Sequence, residues 1–184
     1  MHNKLPNFFL FVDTFKKEHI RKLDKKIAII YRNYSTKYEK NIILSIKEIC
    51  KKDGRKFFLS NNLKLAINLG LDGAYLPSFN KIINTCMLNT KKKFIIIGSA
   101  HSVEEIRIKE KQGAKLIFIS PLFETNKKRE PLGPIKFNFL ASKTKIKVIA
   151  LGGIIQENLN KLRIVKAYGF AGISYFKKNN NIRL

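Results

Sequence analysis

Gly152-Gly153 and Lys128 are the residues of this chain best suited to holding an anion. Paired glycines let backbone N–H groups approach a phosphate closely, and a loop lysine adds charge beside them. The glycines end an apolar run, Val148-Ile149-Ala150-Leu151, while Lys128 lies in the loop Pro121–Gly133 that follows the run Leu116–Ser120. A buried strand opening into a cationic loop, then a strand ending in glycines, is how an α/β barrel holds a phosphorylated ligand. The chemistry implied is phosphate-ester binding.

The other candidates stand where predicted strands end. They are Asp13, Arg32 with Tyr34, Ser60-Asn61-Asn62, Tyr75, Ser99 with His101, Ser120-Pro121 and Ser174. Hydroxyls, amides and cations dominate, which suits anion binding better than acid–base work on a neutral substrate. Arg32, within Tyr31-Arg32-Asn33-Tyr34, has the fork to grip a diphosphate, or it pairs with a neighbouring carboxylate. His101, before a helix cap, reads first as a structural hydrogen bonder. Lys128 has a plainer reading as one lysine of a solvated loop, and the glycines as a tight βα turn.

Eight strands are predicted to carry these residues: Phe8–Asp13, Ile27–Arg32, Lys56–Ser60, Gly73–Leu76, Phe94–Ser99, Leu116–Ser120, Lys147–Leu151 and Gly172–Phe176. Most are near-continuous apolar runs, as parallel strands buried on both faces require. Helix-period segments lie between them. Thr36–Asp53 repeats Ile42, Ile43, Ile46 and Ile49; Ser102-Val103-Glu104-Glu105 reads as a capping box for a helix to Gln112; Gln156–Tyr168 is a further helix stopped by Gly169. Eight βα units in order predict a (β/α)8 TIM barrel as one domain over residues 1–184. It is short, with a reduced first helix within Lys16–Lys26 and a rudimentary last one after Phe176. A doubly wound open sheet is the alternative, but no Gly-rich turn follows the first strand.

The formal charge of +24 raises nucleic acid as a partner. The lysines are nevertheless scattered over every segment, without a recognition helix, zinc spacing or aromatic ribonucleoprotein motif. Attraction of small anionic substrates suffices. No apolar run reaches the roughly 18 residues of a membrane span, and Asp13 closes Phe8–Val12 too early for a secretory signal. A cytoplasmic protein binding small phosphorylated substrates is expected, with Cys50 and Cys86 reduced and structural. The sequence leaves room for a homo-oligomer.

In this order and spacing the motifs resemble the thiamine-phosphate synthase and thiazole tautomerase family. Gly70–Leu76 is similar to that family's G-A-D-G-V-H-L, and Ile97–Glu105 to G-V-S-x-H-S-x-E-E. Ser120–Thr125, with Lys128 and Pro131-Leu132-Gly133, is similar to G-P-I-F-x-T followed by T-K and a glycine; Val148–Ile154 is similar to V-x-A-I-G-G-I. The resemblance implies a barrel joining a pyrimidine diphosphate to a thiazole phosphate, with Mg2+ and loss of pyrophosphate. It implies that Arg32, Ser99 and Lys128 contact pyrophosphate, Lys128 and Ser99 acting catalytically. Thr125, Gly152 and Gly153 would hold the thiazole phosphate, with Asn61 and Ser174 as further substrate contacts.

The departures concern the metal first. Ser60-Asn61-Asn62 replaces an N-D-R motif, and Asn80 stands where a second metal aspartate is expected. An amide offers an oxygen but no charge, and Mg2+ favours carboxylates, so no residue is assigned as a metal ligand. Ile30-Tyr31-Arg32-Asn33-Tyr34 replaces Gln-Leu-Arg-Glu-Lys, Lys177 occupies a phosphate-binding serine position, and Pro121 replaces the tautomerase histidine. The leading expectation is a divergent synthase. The alternative is a non-catalytic or regulatory barrel of the same family that binds a thiamine precursor or another phosphate ester.

Overall fold

The computed structural model describes residues 5–34, 39–83, 93–126 and 129–178. Within them eight parallel strands close into a barrel in sequence order: β1 (Phe8–Val12), β2 (Ile27–Tyr31), β3 (Phe57–Ser60), β4 (Gly73–Leu76), β5 (Ile95–Ala100), β6 (Leu116–Ile119), β7 (Lys147–Leu151) and β8 (Gly169–Gly172). Closure is made by β1 pairing with β8, Phe8 opposite Phe170. The fold is a (β/α)8 barrel with reduced helices, and the open-sheet alternative is excluded.

Alternate residues of each strand face two different cores. Phe9, Phe11, Ala28, Ile30, Phe58, Tyr75, Ile97, Phe118 and Ile149 fill the barrel interior. Their neighbours, among them Leu10, Ile29, Phe57, Ile117 and Val148, pack outward against the helices. Being apolar on both faces, the strands read as continuous runs. Phe118 lies at the centre of the interior, edge-on to Phe9, Phe11 and Tyr75 at 4.9, 6.1 and 5.6 Å.

The helices are α1 (Lys17–Lys22), α2 (Lys40–Asp53), α3 (Leu63–Asn68), α4 (Val103–Lys111), α5 (Gly133–Ala141) and α6 (Ser174–Lys178), with a 3-10 helix over Gln156–Ile164. The brief α1 matches the expected economy at the start, whereas α6 opens at Ser174, ahead of the expected place after Phe176, and spans five of the described residues. On α2, Ile43, Ile46 and Ile49 are buried and Ile42 packs beside them, while the expected start at Thr36 lies outside the described residues. In α4 the Ser102 hydroxyl accepts from the Glu105 amide, but the Glu105 carboxylate accepts from the His101 amide instead of closing a box on Ser102.

Two expectations fail near the C-terminus. The last strand is Gly169–Gly172, not Gly172–Phe176, and Ser174 opens α6. Tyr175 and Phe176 are consecutive yet both pack in the outer core, on Phe170 at 5.3 and 5.5 Å, which strand alternation forbids. Gly169, expected to stop a helix, instead pairs within the sheet, where a Cβ would lie 1.8 Å from the Asn7 carbonyl oxygen. The segment Gln156–Ile164 is 3-10 rather than α; its inward residues Leu159 and Leu162, with Val165 just past its end, recur every three positions, which suits the 3-10 repeat.

Candidate functional site

Arg32, Ser60, Ser99 and Ser120 each stand two residues past an interior apolar residue (Ile30, Phe58, Ile97 and Phe118). The inward alternation therefore continues into polar groups where the strands end, and these cap the barrel interior. The Arg32 guanidinium lies over the Phe11 ring at 4.7 Å, with Tyr34 at 5.9 Å. Stacking on Phe11 holds the fork at the barrel mouth. Among the described residues Arg32 makes no ion pair, so the carboxylate-partner reading has no support there. Tyr34 shares a 3.1 Å hydrogen bond with the Ser60 hydroxyl and meets Phe79 edge-on at 5.7 Å.

Ser99 is buried and hydrogen-bonds the Tyr75 phenol. Burial pushes that phenol well above its usual range, against the opposing effect of Ser99, so Tyr75 keeps its proton. His101 Nδ1 donates to the Ser120 carbonyl at 2.6 Å, with the Ser120 hydroxyl 3.3 Å from the same nitrogen. Since a carbonyl only accepts, Nδ1 carries the proton. The ring ties the end of β5 to the end of β6, the structural use expected of it.

Asn61 and Asn80 meet. Asn61 adopts a left-handed conformation (φ 55°), which asparagine tolerates, and its carbonyl oxygen accepts from the Asn80 amide at 2.8 Å. Asn80 in turn accepts at its side-chain oxygen from the Ile82 amide at 3.1 Å. The Asn61 and Asn80 oxygens are thus both engaged and uncharged, and no cluster of three or more His, Cys, Asp or Glu side chains is placed to hold a cation among the described residues. Mg2+ demands hard, preferably anionic oxygen ligands, and this pair does not supply them.

The other arc of the mouth belongs to the loop after β6 and the end of β7. Gly152 and Gly153 have φ of 98° and 67°. A Cβ at Gly153 would lie 2.2 Å from the Glu124 oxygen, and one at Gly152 would lie 2.8 Å from Pro121. The tight-turn reading of the glycines therefore has a physical basis: the Pro121–Glu124 backbone passes directly over them, joined by Leu122 N to Leu151 O (2.8 Å) and Phe123 N to Gly152 O (3.1 Å). Among the described residues neither glycine amide donates a hydrogen bond. Thr125 is half-buried in that loop. Ser174 is exposed on α6, past the end of β8, so it comes from a helix and not from a strand end. Lys128 lies outside the described residues, as does Cys86; Lys177 is placed in α6.

A cavity of about 530 Å³ opens at the opposite end of the barrel, beside the starts of β3 and β4. Several of its polar groups are committed to structure: Lys47 donates to Leu69 O (2.8 Å), Lys56 pairs with Asp72 (2.7 Å) and Arg55 with Asp53 (2.8 Å). Polar bonding at this end of a barrel reads as stability. Cys50 borders this cavity, its thiol pushed up to about 12 by burial, which makes it inert.

Sequence reasoning overlooked Lys109 and Gln112, both buried against the segment that carries Asn80. A signal existed: Lys109 stands three residues after buried Ile106, on the inward stripe of α4.

The profile of the family described as thiamine monophosphate synthase matches residues 18–176. A protein of Aquifex aeolicus named "Putative thiamine-phosphate synthase 2" is 32% identical over 133 residues, 71% of each chain. A thiamine-phosphate synthase of Prochlorococcus marinus is 31% identical over 122 residues, 65% of this chain and 35% of that longer protein. Among solved structures, thiamine phosphate pyrophosphorylase from Pyrococcus furiosus superposes with a TM-score of 0.76 at 22% identity, covering 92% of this chain and 86% of that one. No helix among the described residues is long and apolar enough to cross a membrane. With the barrel, the polar strand ends and most of the chain matched, this protein belongs to the thiamine monophosphate synthase family.

Proposed function

We propose that this chain, acting as a single barrel unit, joins a hydroxymethylpyrimidine diphosphate to a thiazole phosphate and releases pyrophosphate. What supports the reading is a cation and backbone donors at one mouth: Arg32 stacked over Phe11, and on the other arc the amides of Gly152-Gly153, which donate no hydrogen bond among the described residues. In the reaction the bond from the pyrimidine methylene carbon to the diphosphate oxygen breaks, and its electron pair leaves on pyrophosphate. The thiazole nitrogen lone pair then forms the new C–N bond. Little covalent work falls to the protein; it holds two anions, neutralises the leaving group and excludes water.

Arg32 and Lys128 supply positive charge to the leaving diphosphate, and Ser99, beside Tyr75, supplies a hydroxyl. Thr125 and the glycine amides hold the thiazole phosphate, with Ser174 as an outer contact, and Asn61 contacts substrate from the rim beside Arg32. No step is assigned to Mg2+, because the Asn61–Asn80 pair lacks the donors for it. That same pair favours a second reading, a barrel that binds a phosphate ester without turning it over.

Incubation of the protein with both substrates, followed by chromatography, separates the two. Thiamine phosphate is the expected product. Substrate-induced thermal stabilisation without product would transfer the protein to the second reading, and neither effect would remove both.

A further inference from the structure

Lys109 is a fully buried lysine near the C-terminal end of α4. Its Nζ donates to the Pro77 carbonyl, the Asn80 carbonyl and the Gln112 side-chain oxygen, each at 2.8 Å. Gln112 completes the tie, donating from Nε2 to the Asn80 carbonyl (3.0 Å) and the Ile82 carbonyl (2.9 Å). The stem of Lys109 passes β5 at Gly98, where a Cβ would lie 2.6 Å from its Cδ and 3.1 Å from the Leu76 oxygen. The path to the loop exists because residue 98 has no side chain.

Stability alone explains this poorly. Burying an ammonium costs several kcal/mol, and apolar residues of similar volume commonly serve a core as well or better. What the ammonium supplies is direction, since two of its three acceptors, the Pro77 and Asn80 carbonyls, belong to the segment after β4, and the third, Gln112, holds the ammonium to its own helix. That segment carries Asn80, whose side chain fixes Asn61 at the end of β3.

We infer that Lys109 is a positioning residue for the diphosphate half-site: through Gln112 and the Asn80–Asn61 bond it sets the β3–β4 rim beside Arg32. An internal cation thereby does the ordering that a divalent ion cannot do on two amides. The inference rests on the proposed synthase reading for its ligand, but the ordering itself can be tested separately.

Lys109→Met keeps the length and volume of the stem and removes the three donors. Two measurements on the folded variant, checked by circular dichroism, decide the matter. In an amide correlation NMR spectrum, the Asn61 and Asn80 side-chain signals are expected to shift in Lys109→Met. By calorimetry, inorganic pyrophosphate is expected to bind about tenfold more weakly than to wild type, the scale of a displaced positioning group. Gln112→Leu is expected to reproduce both changes in weaker form. Should Lys109→Met misfold, Gln112→Leu alone decides by the same two measurements. Unmoved amide signals with unchanged pyrophosphate affinity would overturn the inference. Shifted signals in a protein whose wild type binds no pyrophosphate would keep the ordering role and discard the synthase reading instead.

Discussion

The side-chain amide of Asn80 donates to the side-chain oxygen of Asn61 across 2.8 Å, joining the segment after β4 to the end of β3. Family resemblance expects metal-binding carboxylates at these two positions. Two carboxylates so close repel unless a cation lies between them. Two asparagines satisfy each other instead, and this rim of the barrel is built without need of a counter-ion.

Restoring the carboxylates should therefore restore a need for one. The double variant Asn61→Asp, Asn80→Asp is expected to lose about 1 kcal/mol in the absence of divalent cations, the scale of one lost hydrogen bond with added repulsion. Thermal melts with Mg2+ and with a chelator should then separate for the variant and coincide for wild type. A Mg2+-dependent rise in the wild-type melting temperature would contradict the account of the pair.

Gly153 predicts a sharper loss. Gly153→Ala puts a Cβ 2.2 Å from the Glu124 oxygen and 2.6 Å from the Phe123 carbonyl carbon, at φ 67°. The backbone conformation alone costs about 1 kcal/mol for a non-glycine residue, and the clash requires the Pro121–Glu124 segment to move. Urea denaturation should show a loss beyond 1 kcal/mol, roughly the conformational cost alone. A variant as stable as wild type would mean that the segment does not press on the glycines.

Arg32 is predicted to matter for binding more than for folding. It stacks on Phe11 and has no ion-pair partner among the described residues. Arg32→Ala should weaken inorganic pyrophosphate binding by about ten- to a hundredfold, the value of a charge-assisted bidentate contact. Arg32→Lys should recover only part of it. Calorimetric titration measures both, and equal affinities across the three proteins would remove Arg32 from the site.

Lys109 gives a pH signature. Burial pushes its ammonium down to about 8 from 10.5. Above pH 8 the folded chain gives up this proton while the unfolded chain retains it up to 10.5. The unfolded state then binds more protons, so this residue's contribution to stability rises with pH across that window. Measured against Lys109→Met, wild type should gain on the order of 2–3 kcal/mol between the two limits. Urea denaturation at pH 7 and pH 10 compares the two proteins, and a constant difference would contradict the burial of the charge.

Much of this molecule is legible from its residues. Strands apolar on both faces announce a closed parallel barrel, and the period of two then aims Arg32, Ser60, Ser99 and Ser120 at its mouth. The last strand is harder to read, because Gly169–Phe176 is apolar except for Ser174, and the outward packing of Tyr175 and Phe176 on Phe170 divides strand from helix. The glycine pair was visible, but not the backbone of Pro121–Glu124 lying over it. Least visible was the amide pair with Lys109 behind it. That contact depends on the course of the chain after β4, which no local pattern encodes. Lys109 itself looked like one more lysine in a lysine-rich chain.

The most direct measurement of the central claim is phosphorus NMR of the protein with pyrimidine diphosphate and thiazole phosphate, run for wild type and Lys128→Ala. Wild type should release pyrophosphate and form thiamine phosphate in equal amounts, and Lys128→Ala should lose turnover by about a hundredfold or more, as expected when a charge on the leaving group is removed. Unchanged phosphate signals with wild type would contradict a transferase built on this mouth, and full activity in Lys128→Ala would remove that lysine from the chemistry.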